Sequence, residues 1–116
     1  VFETFQEVAK NAFPREMFLF LEGKYDKKLD VLRIHGLSYQ PYQAGDYHTL
    51  VRVDLPLIND VVGTVHSHPG STRPSSADIA TWQKYGRVHF IIGKPYEEEN
   101  LSCYDEHGTA LSYSIA

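Results

Sequence analysis

The stretch Gly63-Thr64-Val65-His66-Ser67-His68-Pro69 runs an apolar strand pattern directly into a pair of histidines. Two residues at positions i and i+2 of an extended strand project from the same face, so both imidazoles can reach one ion at about 2.0–2.1 Å. Asp78, ten positions after His68, offers a carboxylate as a third ligand. The stretch therefore predicts a single zinc ion held by His66, His68 and Asp78, with a fourth position left for water.

The pattern Ser75-x-x-Asp78 has a second interpretation, as the start of a helix. In a capping box the serine accepts a hydrogen bond from a first-turn amide, and an acid lies near the positive end of the helix. Capping and metal binding are compatible, because one helix start can orient both side chains. The sequence leaves both roles open.

The rest of the chain is predicted to alternate helices and strands around this stretch. Hydrophobic spacing indicates a first helix from Phe2 to Ala12, which ends near Pro14. The further predicted elements are strands at 17–21 and 29–37 joined by a turn at 24–28, a loop at 38–47, strands at 50–57 and 61–66, a loop at 69–74, a helix at 76–85, a strand at 87–92, and a hairpin of 101–104 and 109–115 turning at 105–108. This order predicts an α/β or α+β fold with a mixed β-sheet flanked by helices.

Composition excludes several classes of protein. With 116 residues, 42% hydrophobic and 22% charged, the chain is expected to form one domain, spanning residues 1–116, with its own core. A net charge of −4 and a pI of about 5.8 argue against nucleic-acid binding. No apolar run approaches the roughly 18 residues of a membrane span. Cys103 is the single cysteine, so no internal disulfide can form, and a cytoplasmic location is expected.

The histidine stretch and the segment Arg73-Pro74-Ser75-Ser76-Ala77-Asp78 resemble the signature of the JAMM (MPN-domain) metalloproteases, particularly the short archaeal and bacterial members. The order of predicted elements extends this resemblance over essentially the whole chain and implies a layout like that of cytidine deaminases. One difference lies in the loop, where six residues rather than the family's usual seven separate His68 from the serine, which we align with Ser75.

The resemblance also implies roles for residues around the metal. The family places a catalytic glutamate after a helix and at the start of a strand, and Glu16 matches this position. Glu16 would take a proton from the water and return it to the departing amine. Glu22, further along the same strand, is an alternative, and Glu16 could instead lie in a solvated turn. The Ser75 hydroxyl would stabilise the oxyanion, and Ser67 would support the loop through local hydrogen bonds.

By the same resemblance, the expected activity is that of a zinc isopeptidase, which cleaves the amide between the C-terminal Gly of a ubiquitin-like modifier and a lysine or other amine. The alternatives are release of an amino acid or small amine from the tail of a sulfur-carrier protein, and a non-catalytic MPN scaffold. The partners would be the modifier or carrier and its conjugates. Residues that could hold the modifier's tail are Tyr39, Tyr42 and Tyr47. A zinc nucleoside deaminase is excluded, because its P-C-x-x-C motif needs two cysteines.

Overall fold

The computed structural model describes residues 1–38 and 61–115. Within these ranges the chain forms two α-helices, a five-stranded sheet and one short 3-10 helix. Their bounds are α1 Phe2–Ala12, β1 Phe18–Asp26, β2 Val31–Ser38, β3 Val61–His68, α2 Ser76–Trp82, β4 Val88–Gly93, the 3-10 helix Glu98–Asn100 and β5 Leu101–Tyr104. The strand order is β2-β1-β3-β4-β5, with β3 and β4 parallel and the other neighbours antiparallel. The predicted mixed sheet with flanking helices is confirmed.

The main core lies between α1 and one face of the sheet. Phe5 and Ala9, one helical turn apart, are both buried, and the Phe5 ring lies 5.7 Å from that of Phe90 on β4. Side chains that alternate along the interior strands complete this core, namely Met17, Leu19, Leu21, Val65, Phe90 and Ile92. This amphipathic packing explains why the spacing of apolar residues in the first twelve positions was informative.

The histidines of β3 lie on the opposite face of the sheet. Val65 points into the α1 core, so its neighbours Thr64 and His66 point the other way, toward α2. The ring of His66 lies 6.2 Å from that of Trp82, the last residue of α2. The sheet thus separates its structural core from the face that carries the candidate site.

The parallel pair of β3 and β4 forces the chain to cross over between them, and α2 makes this crossover. The close approach of these strands requires glycine at position 63, since a Cβ there would lie 1.5 Å from the carbonyl oxygen of Val88. The crossover returns both the loop after His68 and the helix of Asp78 to the edge where β3 ends.

Two predicted boundaries were wrong by three residues or more. Residues 24–26 belong to β1 rather than to a turn, because they pair with β2. The turn follows them, where the Asp26 carboxylate accepts the N–H groups of Lys28 and Leu29. Helix α2 ends at Trp82 and not at Tyr85, because the chain tightens into 3-10-type bonds before Gly86, whose φ is +108°.

The predicted C-terminal hairpin forms only in part. Beyond the turn, pairing is limited to a bridge between Tyr104 and Ala110 and a hydrogen bond from Leu111 N–H to the Cys103 carbonyl. Tyr113 then packs its ring edge-on against Phe90, with 5.4 Å between centroids, instead of continuing a strand. The packing of Tyr113 on Phe90 therefore takes the place of the second strand of the predicted hairpin.

The predicted strand at 50–57 and the loop after Ser38 lie outside the described residues. Among the helices that are described, none has the length and apolar character needed to cross a bilayer.

Candidate metal centre

The structure brings His66, His68 and Asp78 together at the end of β3 and the start of α2. The two Nε2 atoms are 2.9 Å apart, and each lies 3.3 Å from a different oxygen of the Asp78 carboxylate. Ligands at 2.0–2.1 Å in a tetrahedral arrangement are separated by about 3.3–3.4 Å, which matches the two nitrogen–oxygen distances, while the two nitrogens lie closer together. Two imidazole nitrogens and a carboxylate oxygen also form a donor set that suits zinc, so the residues present fit this ion.

The orientation of His68 is set by a second hydrogen bond. Its Nδ1 lies 2.9 Å from the carbonyl oxygen of Ser71. A carbonyl can only accept, so Nδ1 carries the hydrogen, which leaves Nε2 as the ring nitrogen available to a metal. The loop after β3 thereby selects the tautomer that binds a metal.

Asp78 combines the two roles that the sequence left open. The Ser75 N–H donates to Oδ2 of Asp78 at 2.8 Å, and the Asp78 N–H donates to the Ser75 hydroxyl at 3.0 Å. This is a complete capping box at the start of α2. The carboxylate that caps the helix also faces both imidazoles, so helix capping places the third ligand.

The electrostatics of the cluster favour the protonation states that bind a metal. Burial lowers the pKa of His66, against the opposing charge of Asp78, which keeps the imidazole neutral. Burial by itself would raise the pKa of the Asp78 carboxyl, but the Ser75 backbone N–H and the His66 imidazole outweigh it, and the pKa falls below its usual value. Two neutral imidazoles and an ionised carboxylate are what zinc requires.

Glu16 lies immediately before β1, beside the ligand-bearing end of β3. Phe18 is paired with His66 across the β1–β3 ladder, and Met17 exchanges hydrogen bonds with Ser67. Glu16 is two residues before Phe18, at the same end of the β1–β3 ladder as His66. Its side chain is exposed and is not part of the three-residue cluster.

Glu22 lies at the other end of this strand pair. It is opposite Val61, and its carboxylate accepts a hydrogen bond from the Ser38 hydroxyl. It is six positions after Glu16, which in extended chain is a distance of about 20 Å. The register therefore favours Glu16 over Glu22 as the carboxylate nearest the ligands.

Several contacts of the site could not be found from local sequence patterns. Ser67, which the sequence suggested would support the loop through local hydrogen bonds, instead accepts the N–H of Met17, just before β1, at 2.8 Å, so that prediction was wrong. The Ser71 carbonyl that orients His68 carries no side-chain signal. The candidate tail-binding residues Tyr39, Tyr42 and Tyr47 lie outside the described residues.

Comparisons with known proteins agree with this geometry. The model of a family described as prokaryotic homologues of the JAB domain matches residues 1–105. The chain belongs to the JAB-domain family. This JAB-domain protein is 35% identical to a probable metalloprotease of Haloferax volcanii, over 94% of its own length and 71% of the relative's.

The solved structures that are similar to this JAB-domain protein include the following two. One is a JAB1/MPN domain protein from Archaeoglobus fulgidus, with a TM-score of 0.73 and 32% identity, covering 96% of this chain and 89% of the other. The second is described as JAMM, a metalloprotease-like zinc site in the proteasome and signalosome, with a TM-score of 0.73, 30% identity and coverage of 99% and 90%. The resemblance to JAMM (MPN-domain) proteins is confirmed.

Proposed function

We propose that this JAB-domain protein is a zinc-dependent isopeptidase. Its substrate would be the amide that joins the C-terminal Gly of a ubiquitin-like modifier to a lysine or another amine. The observation that supports this most is the convergence of His66, His68 and Asp78 on one point at the end of β3, beside the strand that begins after Glu16. The similarity to a probable metalloprotease supports hydrolytic chemistry.

Each residue of the site has a definite task in this proposal. His66, His68 and Asp78 would hold one zinc ion, which when bound polarises the scissile carbonyl and activates water. The Glu16 carboxylate accepts a proton from the attacking water and delivers it to the departing amine. The Ser75 hydroxyl accepts from the Asp78 N–H and can donate its own hydrogen to the oxyanion of the tetrahedral intermediate.

The exposure of the ligands suits an extended peptide substrate. The side chain of His66 is 7% exposed, whereas those of His68 and Asp78 are 16% and 19% exposed. His68 and Asp78 are therefore the ligands that solvent, and with it the flexible tail of another protein, can reach. We include Tyr39, Tyr42 and Tyr47 as candidates to hold that tail, a prediction from the sequence.

The experiment uses two synthetic substrates. In the first, the C-terminal Gly of a ubiquitin-like modifier is joined to the ε-amine of a lysine peptide. In the second, the same tail carries a small amine. The protein is incubated with zinc, with a chelator, and with zinc restored after chelation, and the products are identified by mass spectrometry.

We expect cleavage of the isopeptide substrate at the Gly–lysine amide, abolished by the chelator and restored by zinc. Cleavage of the small-amine substrate alone would overturn the isopeptidase proposal in favour of amine release from a carrier tail. Failure to cleave either substrate with the metal fully bound would overturn it in favour of a binding scaffold.

A further inference from the structure

Two segments that follow β3 complete the metal centre, and both are contacted by Tyr104 on β5. The first segment is the loop at 69–74, whose Ser71 carbonyl orients His68. The second is α2, which carries Asp78. The Tyr104 hydroxyl donates a hydrogen bond to the Thr72 carbonyl of the loop at 2.6 Å. The Tyr104 ring stacks on that of Trp82 of α2.

The contact with the loop involves the residue next to the one that orients His68. Thr72 is held at two points, since its hydroxyl also lies 2.7 Å from that of Ser102. Ser102 and Tyr104 are two residues apart on β5 and therefore share a face of the sheet. Anchoring Thr72 restricts the position of the preceding Ser71 carbonyl, which fixes the tautomer and orientation of the His68 ring.

The loop also lies directly on β4 at this point. A Cβ at Gly93 would be 2.4 Å from the Gly70 carbonyl oxygen and 3.1 Å from the Thr72 methyl group. Gly93 is paired with His68 across the β3–β4 ladder. The backbone of the loop is thus held against β4 on one side and against the side chains of β5 on the other.

The contact with the helix involves the residue one turn beyond Asp78. Trp82 is 1% exposed and shares a helix face with Asp78, four residues earlier. Its indole stacks on Tyr104, with 5.7 Å between centroids and 23° between planes, and on His89 at 4.8 Å and 8°. These aromatic contacts hold α2 at a fixed height above the sheet, and with it the Asp78 carboxylate.

We infer that Tyr104 is a positioning residue of the metal centre, which couples the loop that orients His68 to the helix that supplies Asp78. The inference rests on the proposed zinc site, and it assigns Tyr104 no contact with the ion or the substrate. Outer groups that orient metal ligands commonly contribute about 10- to 100-fold to metal affinity or activity. Because the positions of both His68 and Asp78 depend on Tyr104, we expect an effect of this size on zinc affinity.

The test is the conservative variant Tyr104→Phe, which keeps the ring on Trp82 and removes the donor to Thr72. The matched control is Tyr113→Phe, because Tyr113 also donates its hydroxyl to a backbone carbonyl, that of Leu101 on the same strand, at 2.9 Å. Zinc dissociation constants are measured by competition with a chelating dye. The visible absorption spectrum of the cobalt-substituted protein reports ligand geometry, and thermal melting of the metal-free proteins reports folding.

We expect Tyr104→Phe to weaken zinc binding about 10- to 100-fold and to shift the cobalt spectrum. Tyr113→Phe should lower the melting temperature but leave both metal readouts as in the wild type. Thr72→Val, which removes only the hydrogen bond to Ser102, should weaken zinc binding to a smaller extent. If Tyr104→Phe does not fold, 4-fluorophenylalanine at position 104, which fills the space of the hydroxyl but cannot donate a hydrogen bond, decides the question.

Wild-type zinc affinity and an unchanged cobalt spectrum in the folded Tyr104→Phe variant would overturn the inference while leaving the zinc site intact. If Tyr104→Phe does not fold, wild-type zinc affinity with 4-fluorophenylalanine at position 104 would overturn it in the same way. Failure of the wild-type protein to bind either metal would instead overturn the proposed function, and the inference with it. The two failures are therefore distinct.

Discussion

The Ser67 hydroxyl accepts a hydrogen bond from the Met17 backbone N–H, with 2.8 Å between Oγ and N. The Ser67 N–H returns a bond to the Met17 carbonyl at 3.1 Å. Ser67 lies between the two candidate histidine ligands, and Met17 follows Glu16 directly. The pair of bonds thus ties the candidate proton carrier to the candidate ligands, although some fifty residues separate them along the chain.

The bonds between Met17 and Ser67 predict different effects for substitutions of Glu16 and Glu22. Glu16→Gln should keep zinc at the wild-type level and lose nearly all turnover, because an amide cannot accept the proton of the attacking water. The control Glu22→Gln should keep both, since Glu22 lies at the far end of β1 near Ser38. Metal content and rates with the isopeptide substrate check this prediction. If Glu16→Gln lost zinc to the same extent as it lost turnover, Glu16 would have no proton-transfer role.

Ser75 is expected to contribute to both stability and catalysis. Replacing it by Ala removes the cap of α2, which should cost about 1 kcal/mol of unfolding free energy. It also removes the oxyanion donor, which should lower kcat about 100-fold or more. The control is Ser76→Ala, at the exposed first position of the helix. A destabilised Ser75→Ala variant with a wild-type kcat would restrict Ser75 to capping.

The stability of the metal-free protein should fall as the pH drops from about 6.5 to about 4. Burial lowers the pKa of His89 from 6.5 to about 4, and the ring lies between the Thr64 hydroxyl and the Gly86 carbonyl. Between these values the unfolded chain binds a proton that the folded chain does not, so stability rises with pH. The stability that comes from burying a neutral His89 is fully present above pH 6.5, the pKa in the unfolded chain. It is lost as the pH falls through about 4, the pKa in the folded protein.

Denaturant unfolding at several pH values checks this dependence. His89→Asn should be less stable than the wild type at neutral pH but should lose less stability between pH 6.5 and 4. His107→Asn, at an exposed position of the turn after β5, should keep the wild-type slope in this range. An unchanged slope in His89→Asn would show that other groups cause the acid sensitivity.

The close approach of β3 and β4 predicts a large difference between two glycines. Gly63→Ala should destabilise the protein by more than about 3 kcal/mol, because its Cβ would collide with the Val88 carbonyl. Gly70→Ala should change stability by less than about 0.5 kcal/mol, since no atom of residues 1–38 or 61–115 lies within 4 Å of a Cβ at that position. Urea denaturation measures both values, and equal values would contradict the described packing of β3 against β4.

Much of the fold could be predicted from sequence because its signals are local. The spacing of Phe5 and Ala9 identified α1, and the apolar runs identified the inner strands. The polar end of β1 was taken for a turn because it carries the charged residues Lys24 and Asp26. They are strand residues only through their pairing with β2, an example of tertiary context overriding local preference.

In the candidate site, too, local features could be predicted from the sequence and long-range contacts could not. Ser75 and Asp78 are three residues apart, so the capping box could be inferred from their spacing. The bonds of Met17 to Ser67 and of Tyr104 to Thr72 join residues 50 and 32 positions apart. The strand order brings these residues together, and no pattern in either segment specifies that order.

The central claim is that His66, His68 and Asp78 hold one zinc ion, and the zinc content of Asp78→Asn tests it most directly. Asparagine keeps the shape of the side chain and an oxygen to accept the Ser75 N–H, so α2 should remain capped while the anionic ligand is lost. The control is Asp105→Asn, because Asp105 likewise accepts backbone N–H groups, those of His107 and Thr109, but lies outside the cluster.

Metal analysis after dialysis against a weak chelator should find one zinc ion per chain in the wild type and in Asp105→Asn, and essentially none in a folded Asp78→Asn. A wild-type protein that stays free of metal, or an Asp78→Asn variant that keeps a full zinc ion, would contradict the claim.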